Sequence, residues 1–217
     1  KSLVNMDLDE EPAIIYSIYK DTDAKYVIFM TKNGTVKKTS LEEYIQTKKK
    51  TGISAISIRE GDSLAAVALI KDEPIVVVTH NGRVLKFDSN EVSTTSRATT
   101  GVKGISLEDN DYVVSALPVR NSQDSLAIFS ENGQGKKLDR TEFVLQKRGG
   151  KGIIGYKASA ITGKVMGACL VADEDNILLV GNKSSVCISA KDIPELGRGS
   201  VGNQLIKGNI VKAISKV

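Results

Sequence analysis

The feature that most constrains this chain is a fixed internal period. Asn-Gly, or a degenerate copy of it, recurs at Lys32-Asn33-Gly34, His80-Asn81-Gly82, Glu131-Asn132-Gly133 and Gly181-Asn182-Lys183, so the asparagines stand 48, 51 and 50 residues apart. A second landmark keeps the same phase: Gly52, Gly101, Gly152 and Gly202 follow the asparagines by 19 or 20 residues. Four residues before each of these glycines stands a base, Lys48, Arg97, Arg148 or Arg198. A period of this length marks one supersecondary unit used four times, and such units stack because none can bury both of its faces alone.

Within a unit the local signals are those of strands. Tyr26 to Thr31 and Ile75 to Thr79 are runs of β-branched and aromatic residues that lead into Asn-Gly, whose positive φ angles suit a two-residue hairpin. The second half predicts that Ile53 to Ile58 pairs with Leu64 to Ile70 through Arg59-Glu60-Gly61-Asp62-Ser63, and likewise Val102 to Leu107 with Tyr112 to Val119. No segment sustains an apolar period of 3.6, so helix is limited to short turns. The expected fold is all-β and propeller-like, a single domain over residues 1–217 with four-stranded blades at approximately 21–71, 72–120, 121–172 and 173–217. A closing strand appears at Leu64–Lys71, Tyr112–Arg120, Lys164–Ala172 and Asn209–Val217, and a fifth time at Ala13–Lys20. Residues 1–20 are therefore expected to close a neighbouring blade or to remain from a missing one.

Composition narrows the function. With 41% apolar and 26% charged residues the chain reads as soluble and globular, and no apolar run approaches the roughly 18 residues of a membrane span. Lys1-Ser2-Leu3 lacks the plan of a signal peptide, so a cytoplasmic location with no membrane partner is expected. Cys169 and Cys187 have no CxxC spacing and read as buried thiols. His80, the single histidine, precedes a turn and is expected to face solvent rather than act as a catalytic base in a Ser-His constellation, and without a second histidine a multi-histidine metal site is not assembled. Asp7 to Glu11 and Asp173 to Asp175 read as solvated loops. No catalytic residue, metal or cofactor is expected in the chain. Tyr112 and Tyr156 read as packing residues, and an aromatic fraction of 5% argues against single-strand binding. In Glu43-Tyr44, Glu91-Val92, Glu142-Phe143 and Asp192-Ile193 the apolar member is expected to pack while the acid caps or pairs locally.

Charge is localised. The chain carries a net +4, of which residues 136–157 supply +5, leaving −1 for everything else. Inside that window Gln146-Lys147-Arg148-Gly149-Gly150-Lys151-Gly152 interleaves three bases with three glycines. Lysine and arginine supply phosphate contacts, while glycine admits a close backbone approach and leaves N–H groups free as donors. The same loop position elsewhere holds Lys48-Lys49-Lys50, Arg97 with Lys103, and Arg198; Lys136 and Lys137 add to the third repeat. On blades these bases occupy equivalent points of one rim, a curved positive track. Bending 20–30 base pairs of duplex by 40–90° costs about 1–6 kcal/mol, so several blades must act together. No base-reading element is evident, and the expected binding is sequence-independent and steeply salt-dependent.

The heptad Gln146 to Gly152 resembles the gyrase A box. Thr31 to Ser40, Ser96 to Ile105 and Glu131 to Lys137 are similar to the C-terminal domains of bacterial gyrase A subunits and of the related topoisomerase IV subunit. The resemblance spans essentially the whole chain. It implies a hairpin-exchanged propeller, or β-pinwheel, that bends double-stranded DNA around its outer edge beside the DNA-cleaving core. It also implies a parent enzyme at the bacterial nucleoid, whose ATP and Mg²⁺ sites lie elsewhere and whose ATPase is a partner subunit. Two features depart from the family: five or six blades are usual, and the box normally lies in the first blade, whereas this heptad is in the penultimate repeat. Cys187-Ile188 of the fourth repeat replaces Lys37-Lys38 of the first, which sets that repeat apart in DNA binding. Gyrase and topoisomerase IV both stay open, as do a propeller scaffold for an acidic protein and a propeller enzyme with a central-channel site.

Overall fold

The computed structural model describes residue 18 and residues 22–46, 53–208 and 210–217. The proposed strand Ala13–Lys20, apart from residue 18, and Lys48, Lys49 and Lys50 lie outside the described residues. The strands are β1 (Tyr26–Thr31), β2 (Thr35–Ser40), β3 (Leu64–Ile70), β4 (Ile75–Thr79), β5 (Arg83–Phe87), β6 (Val102–Lys103), β7 (Val113–Pro118) and β8 (Ser125–Ser130). They continue as β9 (Gln134–Leu138), β10 (Ile153–Ile154), β11 (Val165–Val171), β12 (Asn176–Gly181), β13 (Ser185–Ser189), β14 (Asn203–Gln204) and β15 (Val211–Lys216). Helix is confined to α1 (Glu42–Ile45) and three 3₁₀ turns at Ser89–Glu91, Arg140–Glu142 and Ala190–Asp192.

Strand pairing crosses the repeat boundaries. The sheets run β3-β1-β2-β6, β7-β4-β5-β10, β11-β8-β9-β14 and β15-β12-β13. Among the described residues each repeat thus builds three strands of its own sheet, and the second, third and fourth each send a short strand to the outer edge of the preceding sheet. Val102 pairs with Val36 and Ile153 with Val84. The in-repeat pairing of Val102–Leu107 with Tyr112–Val119 is therefore corrected: β7 pairs with β4, and Val102–Lys103 belongs to the sheet before. Ile53 to Ile58 forms no strand. Strand exchange, implied by the resemblance, is what the structure shows, with three complete four-stranded sheets and a three-stranded fourth among the described residues. The closing strands β3, β7, β11 and β15 contact one another in succession, so the sheets fan out from them and the donated strands lie at the far rim.

The hairpin turn is the device that receives the donated strand. Only the glycine takes positive φ, at +80° in Gly34, +87° in Gly82 and +81° in Gly133, and Gly82 N–H bonds Thr79 O at 2.9 Å. The connection is a turn followed by a bulge rather than the expected two-residue turn. The carbonyl freed at the glycine accepts from the incoming chain: Gly82 O takes Gly155 N–H at 2.8 Å and Tyr156 N–H at 3.1 Å. Gly34 O does the same for Gly104 and Ile105, and Gly133 O for Leu205 and Ile206.

Hydrophobic cores lie between consecutive sheets. Ile28, Met30 and Ile70 meet Ile75, Val77 and Phe87; the opposite face of β4, Val76 and Val78, meets Leu126, Ile128 and Tyr156. A third core joins Ala127 and Phe129 to Ile177 and Leu179. Strands buried on both faces carry continuous apolar runs, which is why Ile75–Thr79 shows no alternation. β12 is buried on one face only.

Candidate nucleic-acid interface

Three of the four repeat-phased bases lie among the described residues and occupy equivalent places. Thr94, Leu145 and Glu195 each form a parallel bridge to Lys38, Lys86 and Lys137 of the preceding sheet, and the loops that follow carry Arg97, Arg148 and Arg198 over the outer strands. The heptad's exit, Gly152 to Ile154, and the Arg198 loop border one open cleft of about 740 Å³, so neighbouring rim loops adjoin.

The arginines are not simple free cations. Arg97 pairs with Glu43 (Nε to Oε2, 3.6 Å) and Arg198 with Glu142 (Nε to Oε2, 3.1 Å), both pairs partly exposed. Arg148 donates its backbone N–H to Glu91 Oε2 at 3.0 Å, Nε to Glu91 O at 3.1 Å and a terminal N–H to Lys103 O. Each acid is the one singled out beside an apolar residue, yet it pairs with the next repeat, not locally. Local capping falls to Asp88 and Asp139, which accept from Asn90 and Thr141 N–H at 2.8 Å. The missed signal was an acid standing about one repeat ahead of each arginine.

The heptad is built on its neighbour. Gln146 N–H bonds Lys86 O at 2.7 Å, Gly149 N–H bonds Gly104 O at 2.7 Å, and Gly149 O and Gly150 O accept from Ser106. The expectation that the glycines leave their N–H groups free is corrected at Gly149 and at Gly150, whose N–H bonds Lys147 O at 3.4 Å; both donors are used internally. A Cβ at Gly152 would stand 2.9 Å from the Val84 carbonyl carbon, so that glycine serves close seating on β5. Lys147 and Lys151 are exposed, as is Lys103 on β6, and among the described residues none of the three enters an ion pair.

Lys136 and Lys137 require correction. Lys136 is fully buried, and its ammonium donates to Gly197 O (2.8 Å), Arg198 O (3.0 Å), Ser200 O (3.0 Å) and Ser200 Oγ (3.2 Å). Burial pulls its pKa down to about 8, with Glu142 acting against the shift. Lys137 is buried and bonds Asp173 at 2.9 Å. Both lysines support the next repeat and neither adds to the surface. In the first sheet Lys37 and Lys38 are also buried, with pKa values lowered by desolvation, and bond Ala55 O (3.1 Å) and Ser89 O (2.9 Å). The contrast with Cys187-Ile188 is thus one of internal support.

Other expectations divide. Cys169 is partly buried, but Cys187 is exposed because among the described residues no donated strand pairs with β13. His80 packs instead of facing solvent: its ring stacks on Tyr112 at 4.3 Å and its Nδ1 lies 3.1 Å from Val165 O. Tyr156 is wholly buried. Asp173 and Asp175 are ion-paired with Lys137 and Lys216, and no metal-holding acidic, His or Cys group exists among the described residues.

Comparison with known proteins places this geometry. The matching family is described as "DNA gyrase C-terminal domain, beta-propeller", over residues 25–71, 73–120, 124–164 and 188–210. The chain is 36% identical over 209 residues to the DNA gyrase A subunit of Helicobacter pylori, covering 94% of this chain and 25% of that protein. It is 32% identical over 210 residues to the DNA gyrase A subunit of Lawsonia intracellularis, covering 95% and 26%. It spans about a quarter of the length of these relatives. Among solved structures it is similar to a topoisomerase IV C-terminal domain (TM-score 0.89, 31% identity, 99% of this chain and 68% of that one). A DNA gyrase A C-terminal domain gives a TM-score of 0.88 at 29% identity, covering 99% and 73%. The exchanged sheets, the rim heptad and these matches together make the chain a member of the DNA gyrase C-terminal domain family.

Proposed function

We propose that the chain binds double-stranded DNA along the rim of its sheets and bends it, as the C-terminal domain of a DNA gyrase A subunit supporting ATP-dependent supercoiling. The carrying observation is the group of exposed, unpaired lysines Lys103, Lys147 and Lys151 on the strand and loop at the outer edges of successive sheets. Because each arginine is already engaged, the positive surface is strongest at the heptad rather than uniform along the arc. The rim offers cationic partners for phosphates and, among the described residues, no helix long enough to enter a major groove, which favours sequence-independent contact. On this reading the sites for ATP and Mg²⁺, the DNA-cleaving core and the ATPase subunit belong to the rest of the enzyme, at the nucleoid in the bacterial cytoplasm. The sequence relatives favour gyrase over topoisomerase IV, although the fold matches both.

The test is duplex binding by Lys147→Ala/Lys151→Ala across about 50–200 mM salt. Loss of two phosphate contacts should lower the magnitude of the log-log salt slope by about 1.8. An unchanged affinity at low salt would overturn the proposal. A topology assay in which closed circular DNA is relaxed by a topoisomerase in the presence of the chain separates the scaffold reading, which predicts no change in linking number.

A further inference from the structure

The heptad loop presents three bases, but the structure gives them different work. Lys147 and Lys151 project from the loop and are exposed. Arg148 is half-buried, and its guanidinium bonds two main-chain carbonyls, Glu91 O at 3.1 Å and Lys103 O. Its backbone N–H is held by the Glu91 carboxylate at 3.0 Å. All three acceptors belong to the preceding repeat.

Glu91 is itself firmly placed. It ends the 3₁₀ turn Ser89–Glu91, whose start is capped by Asp88 and whose next residue, Val92, is buried in the first inter-sheet core. A carboxylate fixed on a rigid element is suited to orienting a glycine-rich loop that has little stiffness of its own. The planar guanidinium suits bonding two carbonyls at once, whereas a lysine ammonium has no such fixed fork. The arrangement recurs: Arg97 N–H bonds Glu43 Oε2 at 3.2 Å, and Arg198 Nε lies 3.1 Å from Glu142 Oε2.

We propose that Glu91 and Arg148 are positioning residues for the DNA-binding loop, and that Lys147 and Lys151 make its phosphate contacts. The proposal rests on the DNA reading above. It makes a prediction opposite to simple electrostatics: Glu91 is a negative charge on a surface meant for a polyanion, so its removal should tighten binding if charge alone decides. Positioning requires the reverse.

The experiment measures affinity of the full chain for a fluorescent duplex of random sequence, with thermal melting as the folding control. Glu91→Ala should weaken binding about tenfold near 0.1 M salt, the scale of one lost phosphate contact. Glu91→Gln keeps an oxygen for the Arg148 N–H and should restore parental affinity. Arg148→Lys keeps the charge but loses the fork, and should weaken binding; combined with Glu91→Ala it should add little, because both act through one loop. If Glu91→Ala and Arg148→Lys bind as tightly as the parent while Lys147→Ala/Lys151→Ala binds weakly, the positioning role is wrong and the DNA reading stands. If the double lysine variant also binds like the parent, both fall. Should Glu91→Ala fail to fold, the comparison of Glu91→Gln with Arg148→Lys decides: parental affinity for Arg148→Lys overturns the proposal.

Discussion

Replacing Gly82 by alanine tests whether the hairpin turn is the seat of the donated strand. At φ +87° an alanine carries the cost of left-handed backbone, about 1–2 kcal/mol. The added Cβ would overlap the Tyr156 carbonyl oxygen and stand 3.1 Å from its carbonyl carbon, so Gly155-Tyr156 must withdraw. Withdrawal breaks the two bonds to Gly82 O, each contributing about 0.5–1.5 kcal/mol. The expected loss is about 2–5 kcal/mol, a large share of the roughly 5–15 kcal/mol that holds a domain together. Gly61→Ala is the matched control: its φ is +74°, but a Cβ there meets nothing within 4 Å, so only the backbone cost of about 1–2 kcal/mol remains. Urea unfolding of both variants gives the difference. Because β10 continues directly from the heptad, Gly82→Ala should also weaken duplex binding at salt and urea concentrations where it is still folded, while Gly61→Ala should not. Equal destabilisation by the two alanines, with equal DNA affinity, would refute the docking argument.

Two further outcomes follow from buried groups. Lys136 titrates near pH 8 in the folded chain against 10.5 as its ordinary value, so between those values the unfolded chain holds more protons and stability rises with pH. Lys136→Met lacks this term; the stability of the parent relative to it should improve by about 1–3 kcal/mol from pH 7 to pH 10.5 in urea titrations, and a constant difference would contradict the burial of that ammonium. Thiol labelling should show one fast group, Cys187, abolished by Cys187→Ser, while Cys169, its pKa pushed up to about 12 by burial, reacts only on unfolding; two fast thiols would place Cys169 in solvent.

What the sequence revealed and what it concealed divide along the range of the interactions involved. Tyr26–Thr31 and Ile75–Thr79 were legible to the residue because two buried faces leave an unbroken run of apolar, mostly β-branched or aromatic residues ending in threonine. The repeat phase located Arg97, Arg148 and Arg198 at equivalent points. Pairing partners were not legible locally: Val102 to Leu107 has the composition of a full strand, but only Val102–Lys103 pairs, and its partner lies in the repeat before. Lys136 and Lys137 looked like surface cations since each stands in a short polar strand. Their burial depends on segments far along the chain: the loop at Gly197–Ser200 covers Lys136, and Asp173 holds Lys137. In the sequence the acids Glu43, Glu91 and Glu142 read as caps of their own turns, because a local cap and a contact one repeat away leave the same mark.

The donation of each outer strand to the sheet before it sets where the chain can be cut and rejoined. A cassette exchanged between homologues at the visible repeat boundary would import a rim loop without the surface that shapes it, since Gly82, Glu91 and Lys103 are encoded ahead of the heptad they receive. A functional transplant must therefore start nearly a whole repeat earlier, at the hairpin β4–β5, taking that receiving hairpin together with the loop. Substitutions at the two are likewise expected to be tolerated in pairs, so that the heritable module of this fold is offset from the one the period displays.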